Sequence, residues 1–160
     1  MLRARASGTL LAKAGAQGGN GGQIETSGHK LDVEGARIDT DSPTGNAGLW
    51  LIDPYDYTID ATAASTIKNA LDTGTSVTVS TANAGGPGAG ASGSGDITVN
   101  SAITKSAGAD AALTLRADRN IAVNANISSS SGKLDITLSA ANSTTSATGG
   151  VRVAAGKTLN

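Results

Sequence analysis

The sequence predicts an all-β fold, a parallel β-solenoid carrying one short capping helix near residues 65–73, and three observations point there. An apolar-Thr-apolar triplet is written three times, at Val77-Thr78-Val79, Leu113-Thr114-Leu115 and Ile136-Thr137-Leu138. Each copy is followed by a second triplet, Ile97-Thr98-Val99, Ile121-Ala122-Val123 and Val151-Arg152-Val153. The spacing is constant on one side only. From second triplet to the next first triplet the step is 16 residues (97 to 113) and then 15 (121 to 136). From first to second it is 20, 8 and 15, the excess being Gly, Ala, Ser and Thr. Finally, the hairpin turns of two to five residues that a sandwich or up-and-down barrel requires are missing.

Alternation over three residues puts the first and third on one face of a strand. So short a strand buries little alone, and its inward pair must be covered by the equivalent pair of the next copy. Val77, Leu113 and Ile136 are therefore expected to stack, as are Val79, Leu115 and Leu138. The second rank is Ile97, Ile121 and Val151 beside Val99, Val123 and Val153.

In chain order, residues 1–30 read as an edge region, with Gly15 to Gly22 as a flexible, turn-rich stretch. Residues 31–76 read as irregular coils. Strand signals fall at Leu31-Asp32-Val33, Ile38, Leu49 to Ile52 and Tyr57-Thr58-Ile59, interrupted by Pro43 and Pro54, which lack a backbone donor. The helix is expected from Ser65 as N-cap, through Ile67, Ala70 and Leu71 on one face, to Gly74 as the stop. Residues 77–160 read as regular coils of the same single segment. Asn100 and Asn124 follow the second triplet in ITVNSAI and IAVNANI, so a side-chain amide ladder is expected between them, ending at Ala154.

Composition fits that reading. The 160 residues include no Phe, one Trp and 22 Gly, so the core is expected from Leu, Ile, Val and Ala, in thin layers buried by their neighbours. A net charge of -1 with scattered charges gives no footprint for nucleic acid or an anionic membrane, and no aromatic platform for stacking bases is expected. Without Cys there are no disulfides or thiolate metal sites. The opening MLRARASGTLLAKAG is basic, but its apolar stretch is too short for a signal peptide or a membrane span. A secreted protein would then contain this chain as a piece of something longer.

The segments GGQIETSG (Gly21 to Gly28) and WLIDPYDYTI (Trp50 to Ile59) resemble the filamentous haemagglutinin family of large secreted bacterial exoproteins. Ser65 to Thr81 and GDITVNSAI (Gly95 to Ile103) are similar to that family's repeat region, so the resemblance covers about residues 6–140. It implies a right-handed parallel β-helix and export by a dedicated outer-membrane transporter. It also implies a place at the bacterial surface, as an adhesin shaft or the stalk of a contact-dependent toxin. The partners so implied are a receptor or glycan on a host or neighbouring cell, and the transporter through a region outside this chain. The family's NPNL and NPNGI secretion motifs do not occur in these residues, so the resemblance is to the shaft.

Candidate chemistry is sparse. Asp53, Asp56 and Asp60 offer oxygens for Ca²⁺, but without EF-hand or nonapeptide spacing they read as turn and cap residues bonding nearby N–H groups. A sugar lyase on this fold would need a basic residue beside them, which only stacking of Arg116 or Arg119 could bring. His29 is the one His and reads as a surface or capping residue; near Gly90-Ala91-Ser92 the G-x-S-x-G register fails. Gly88 to Gly93 spells G-x-G-x-x-G, but no helix follows to receive a phosphate. Gly156-Lys157-Thr158 would end a Walker motif only with Gly in place of Val151. Thr78, Thr114 and Thr137 form an outward rank, yet Thr98, Ala122 and Arg152 beside it make an ordinary solvated face and not an ice-binding one. The expectation is therefore a structural and binding module without catalysis, metal or cofactor. Its recognition would sit at the variable corner, residues 82–95 and 140–149, or on the outer faces. A carbohydrate-active β-helix enzyme and a self-assembling fibre unit are the rivals.

Overall fold

The computed structural model describes residues 3–81, 95–142 and 148–160. Strands β1 (Arg3–Arg5) and β2 (Gly8–Leu11) lead into a first full turn of β3 (Gln23–Gly28), β4 (Lys30–Asp32) and β5 (Ala36–Asp39). The second turn is β6 (Leu49–Pro54), β7 (Tyr57–Ile59) and α1 (Ala61–Asp72). The third is β8 (Ser76–Ser80), β9 (Ile97–Val99) and β10 (Ile103–Lys105), and the fourth β11 (Ala111–Arg116), β12 (Ile121–Val123) and β13 (Ile127–Ser129). The last holds β14 (Leu134–Ser139), β15 (Val151–Val153) and a bridge from Leu159 to Ile127. The chain is a parallel β-solenoid of about five turns with a single short helix.

Each turn has three sides. The first is a five-stranded parallel sheet running β3, β6, β8, β11, β14, and the second is the pair β1-β4 followed by a four-stranded sheet running β7, β9, β12, β15. The third is broken into the pairs β2-β5 and β10-β13, with α1 standing between them and touching both β5 and β10. Sequence reading found the first two sides and, on the third, Ile38 of β5 and the helix, but not β10 and β13. Ile103-Thr104-Lys105 and Ile127-Ser128-Ser129 carry one aliphatic residue each, so alternation gives them almost no signal.

Val77 pairs with Leu113 and Leu113 with Ile136, while Val79, Leu115 and Leu138 form the adjacent rank. Both ranks extend downward through Trp50 and Ile24, and through Ile52 and Thr26. On the second side Tyr57, Ile97, Ile121 and Val151 are in register, as are Ile59, Val99, Val123 and Val153. The core is less purely aliphatic than composition suggests. Trp50 is fully buried, its indole N–H donating to Thr26 Oγ1 at 3.1 Å. Val151 and Val153 stay 44% and 38% exposed, because no described strand pairs beyond β15.

The helix begins four residues before the expected cap. Asp60 Oδ1 accepts the N–H groups of Thr62 and Ala63 at 3.0 and 2.9 Å, and Ser65 lies inside the helix. The buried stripe starts at Ala63 and Ala64, which signal weakly beside Ile67, Ala70 and Leu71. Gly74, at φ +85°, ends it. Pro54 does not interrupt β6 but closes it. The glycine-rich stretch is open at Gly15 and Gly19 but tightly packed at its end: a Cβ on Gly21 would fall 1.8 Å from the Thr40 carbonyl oxygen, and one on Gly48 2.0 Å from that of Gly22. Glycine is required there for backbone to meet backbone between turns.

Candidate functional site

The densest polar chemistry lies at the two ends of the second side. The positions just before its strands are Asp56, Asp96, Asn120 and Gly150, and those just after are Asp60, Asn100, Asn124 and Ala154. In the first column each side-chain oxygen accepts a backbone N–H from the next turn. Asp56 Oδ1 takes those of Gly95 (2.7 Å) and Asp96 (3.0 Å), Asp96 Oδ1 that of Asn120 (3.1 Å), and Asn120 Oδ1 that of Gly150 (3.2 Å). In the second column Asn124 Nδ2 donates to Asn100 Oδ1 at 3.0 Å, and Asp60 is withdrawn to cap the helix.

The same device recurs elsewhere. Asn20 Oδ1 accepts from Asn46 N, Asp110 Oδ1 from Lys133 N, Asn126 Oδ1 from Thr158 N, and Asp72 Oδ1 from Ser106 N and Ala107 N. In every case the acceptor belongs to the earlier turn and the donor to the later one. Sequence reading expected Asp53, Asp56 and Asp60 to bond nearby N–H groups. That holds for Asp60, whereas Asp56 reaches residues 39 and 40 positions away. Asp53 is buried and engaged. The signal overlooked is the pattern Asx, three strand residues, Asx, present in D-YTI-D, D-ITV-N and N-IAV-N.

Stacking also brings in a base-side partner. Arg119 grips Asp96 with both Nε (2.8 Å) and Nη2, and Asn120 Nδ2 adds a bond to Asp96 Oδ1 at 3.0 Å. The Arg119 guanidinium holds the Asp96 carboxyl below its ordinary range, partial burial opposing and Asn120 assisting. A carboxylate so saturated with donors is a weak proton acceptor, and its oxygens are occupied by the fold's own groups. Arg116 stays exposed at the end of β11. Among the described residues no group of three or more His, Cys, Asp or Glu is arranged to hold a metal ion.

Lys105 is fully buried without a carboxylate. Its ammonium donates to the carbonyl oxygens of Ala107 (2.6 Å), Gly108 (3.2 Å) and Ser131 (2.6 Å), tying the corner of one turn to that of the next. His29 is half-buried and stacks on Tyr55 one turn on, with ring centroids 4.5 Å apart and planes at 18°, so one stacked ring pair does exist. Its Nδ1 is buried without a hydrogen-bond partner. Lys157 N donates to Ala154 O at 3.1 Å, making Gly156-Lys157-Thr158 a tight turn. Residues 88–93 lie outside the described residues, as does most of the variable corner; only Gly95, residues 140–142 and residues 148–149 of it are described.

Among the described residues a groove of about 740 Å³ lies where α1 overhangs the outer surface of β2 and β5. Its floor is Thr9, Leu11, Arg37 and Asp39, and its wall includes Thr62, Ser65 and Asn69. No family model matches the chain, and a search of curated proteins found no match. The architecture itself is that of a β-solenoid.

Proposed function

We propose that this chain is a rigid shaft segment of a secreted, haemagglutinin-like surface adhesin, a structural and binding module without catalysis. One observation carries the reading most directly. Turn after turn is joined by aliphatic ranks inside and by Asx acceptors of one polarity at the corners. Such a stack resists bending, since every turn is held by both packing and oriented hydrogen bonds. Its polar groups are turned to that purpose, as the donors around Asp96 illustrate. A shaft of this kind needs no metal or cofactor. On this reading its partners are a receptor or glycan on a host or neighbouring cell, and a transporter engaged by another part of the parent protein.

The enzyme rival draws on the Asp56, Asp96 and Arg119 cluster across successive turns, since the pull of Asp56 and Asp96 on Arg119 puts acid and base together. The low proton affinity of Asp96 weighs against it. The deciding experiment is attachment: beads coated with the 160-residue chain should adhere to epithelial or bacterial cells above beads coated with an unrelated β-solenoid. Equal attachment of both would remove the adhesive part of the reading. Release of unsaturated sugar from polyuronate by the soluble chain would replace it with the lyase.

A further inference from the structure

The groove beside α1 exists because a helix takes the place of a strand. A helix with its side chains is about 10–12 Å across, so where it replaces one strand of the third side it stands proud of its neighbours. The step leaves the outward side chains of β2 and β5 as a floor. Register sets Thr9 opposite Arg37 and Leu11 opposite Asp39. Thr62, Ser65 and Asn69, three and then four residues apart, form one exposed ridge above them.

The chemistry of that surface is specific. Asp39 is already satisfied by the Lys13 ammonium at 2.9 Å. Arg37, exposed, forms no ion pair among the described residues, which leaves one uncompensated cation in the floor. Around it are hydroxyl and amide groups that both donate and accept, and at one end Leu11 is 63% exposed. We propose that this groove binds an acidic oligosaccharide. Arg37 takes a sugar carboxylate with its planar fork, Thr9, Ser65 and Asn69 bond ring hydroxyls, and Leu11 covers a C–H face. The volume falls within the roughly 300–1,000 Å³ range of small-molecule sites. A protein partner is disfavoured because the groove holds no aromatic anchor, and a nucleic acid because it offers a single cation.

This proposal rests on the adhesive reading and names its ligand class and site. The test is titration of the 160-residue chain with a hexuronate tetrasaccharide, and with the same sugar after reduction of its carboxyls, by calorimetry and amide-resolved NMR. Shifts are expected at Thr9, Arg37, Ser65 and Asn69, with the reduced sugar about tenfold weaker or worse. Arg37→Gln should lose about tenfold or more with circular dichroism unchanged, and Arg37→Lys should fall between, because an ammonium lacks the fork. Equal binding by Arg37→Gln, equal affinity for the reduced sugar, or shifts confined to other faces would overturn the site. The two readings separate cleanly. Coated beads that fail to attach, while the tetrasaccharide still binds through Arg37, remove adhesion and leave the groove; beads that attach equally well with Arg37→Gln, with no tetrasaccharide binding, remove the groove and leave adhesion.

Discussion

Asp96 shows how one side chain can tie its own turn to the next, since its two oxygens take the Arg119 fork and both nitrogens of Asn120. The guanidinium depresses its proton affinity against the opposing effect of burial. Asp72 is likewise depressed: burial pushes its carboxyl up, but Lys68 and the N–H groups of Ser106 and Ala107 outweigh it. A folded-state pKa below the unfolded one stabilises the fold above the ordinary value near 4 and loses that contribution as pH falls through the folded value. Melting temperature should therefore drop on acidification below about pH 4. Asp96→Asn should flatten part of that dependence, leaving the part due to Asp72; an unchanged acid profile in the variant would show that Arg119 contributes nothing. Lys105→Met keeps the stem and removes the donor from three carbonyls, and should cost about 1–3 kcal/mol in urea unfolding. A variant as stable as the parent would mean that water replaces the ammonium. At this scale Asn100 and Asn124 were readable because both follow a recognisable triplet. The step from Asp56 to Asp96 was not, because the insert between Thr81 and Gly95 lengthens it to 40 residues, and Arg119 was not, because a residue just ahead of a triplet carries no alternation signal.

The helix is where local sequence and stacking meet. Asp60 occupies the corner place that Asn100 and Asn124 fill in later turns, and its carboxylate turns inward along the chain to start α1. A cap at that position predicts that Asp60→Ala costs about 1 kcal/mol. Ser65→Ala should cost almost nothing, since Ser65 is an exposed interior residue and Ala favours helix. Paired urea titrations check it: a larger loss at Ser65 than at Asp60 would restore the shorter helix that sequence reading expected. That expectation failed for a physical reason, because Ala63 and Ala64 bury little area and hardly raise the periodic signal, so Ile67 looked like the start. On the third side β10 and β13 were lost to the same weakness of signal. Each carries a single isoleucine, and Lys105, a charged residue that patterning sends outward, is buried among carbonyls. What did carry information was an offset of 24 residues shared by Ile97 and Ile121, Ile103 and Ile127, and Asn100 and Asn124. Comparing residues at that offset, and not only triplets by type, exposes the third strand of the third and fourth turns.

Across the whole molecule the stack behaves as a line of turns, each stabilised chiefly by its two neighbours, so resistance to opening should depend on position along the axis. Val77, Leu113 and their partners in β8 and β11 have strands on both sides and are fully covered. Ile136 and Leu138 are half-buried, and Val151 and Val153 more open still. Leu113→Ala removes a side chain packed from above and below and should cost about 2–5 kcal/mol. Val153→Ala, at a partly solvated site, should cost less than about 1 kcal/mol. Native-state hydrogen exchange on the 160-residue chain reads the same gradient without mutation. Amides of β6, β8 and β11 should exchange slowest, and those of β1 and β15 fastest, with β10 and β13 between because they form only a two-stranded pair. The helix supplies an internal check, since it divides the third side but leaves the first continuous. If turns are coupled mainly through the first side, protection in β10 should track that of β8 and β11 more closely than that of β5, across the helix. Equal protection from β1 to β15 would mean that the chain opens as one cooperative block, and the nearest-neighbour account of its stability would have to be abandoned.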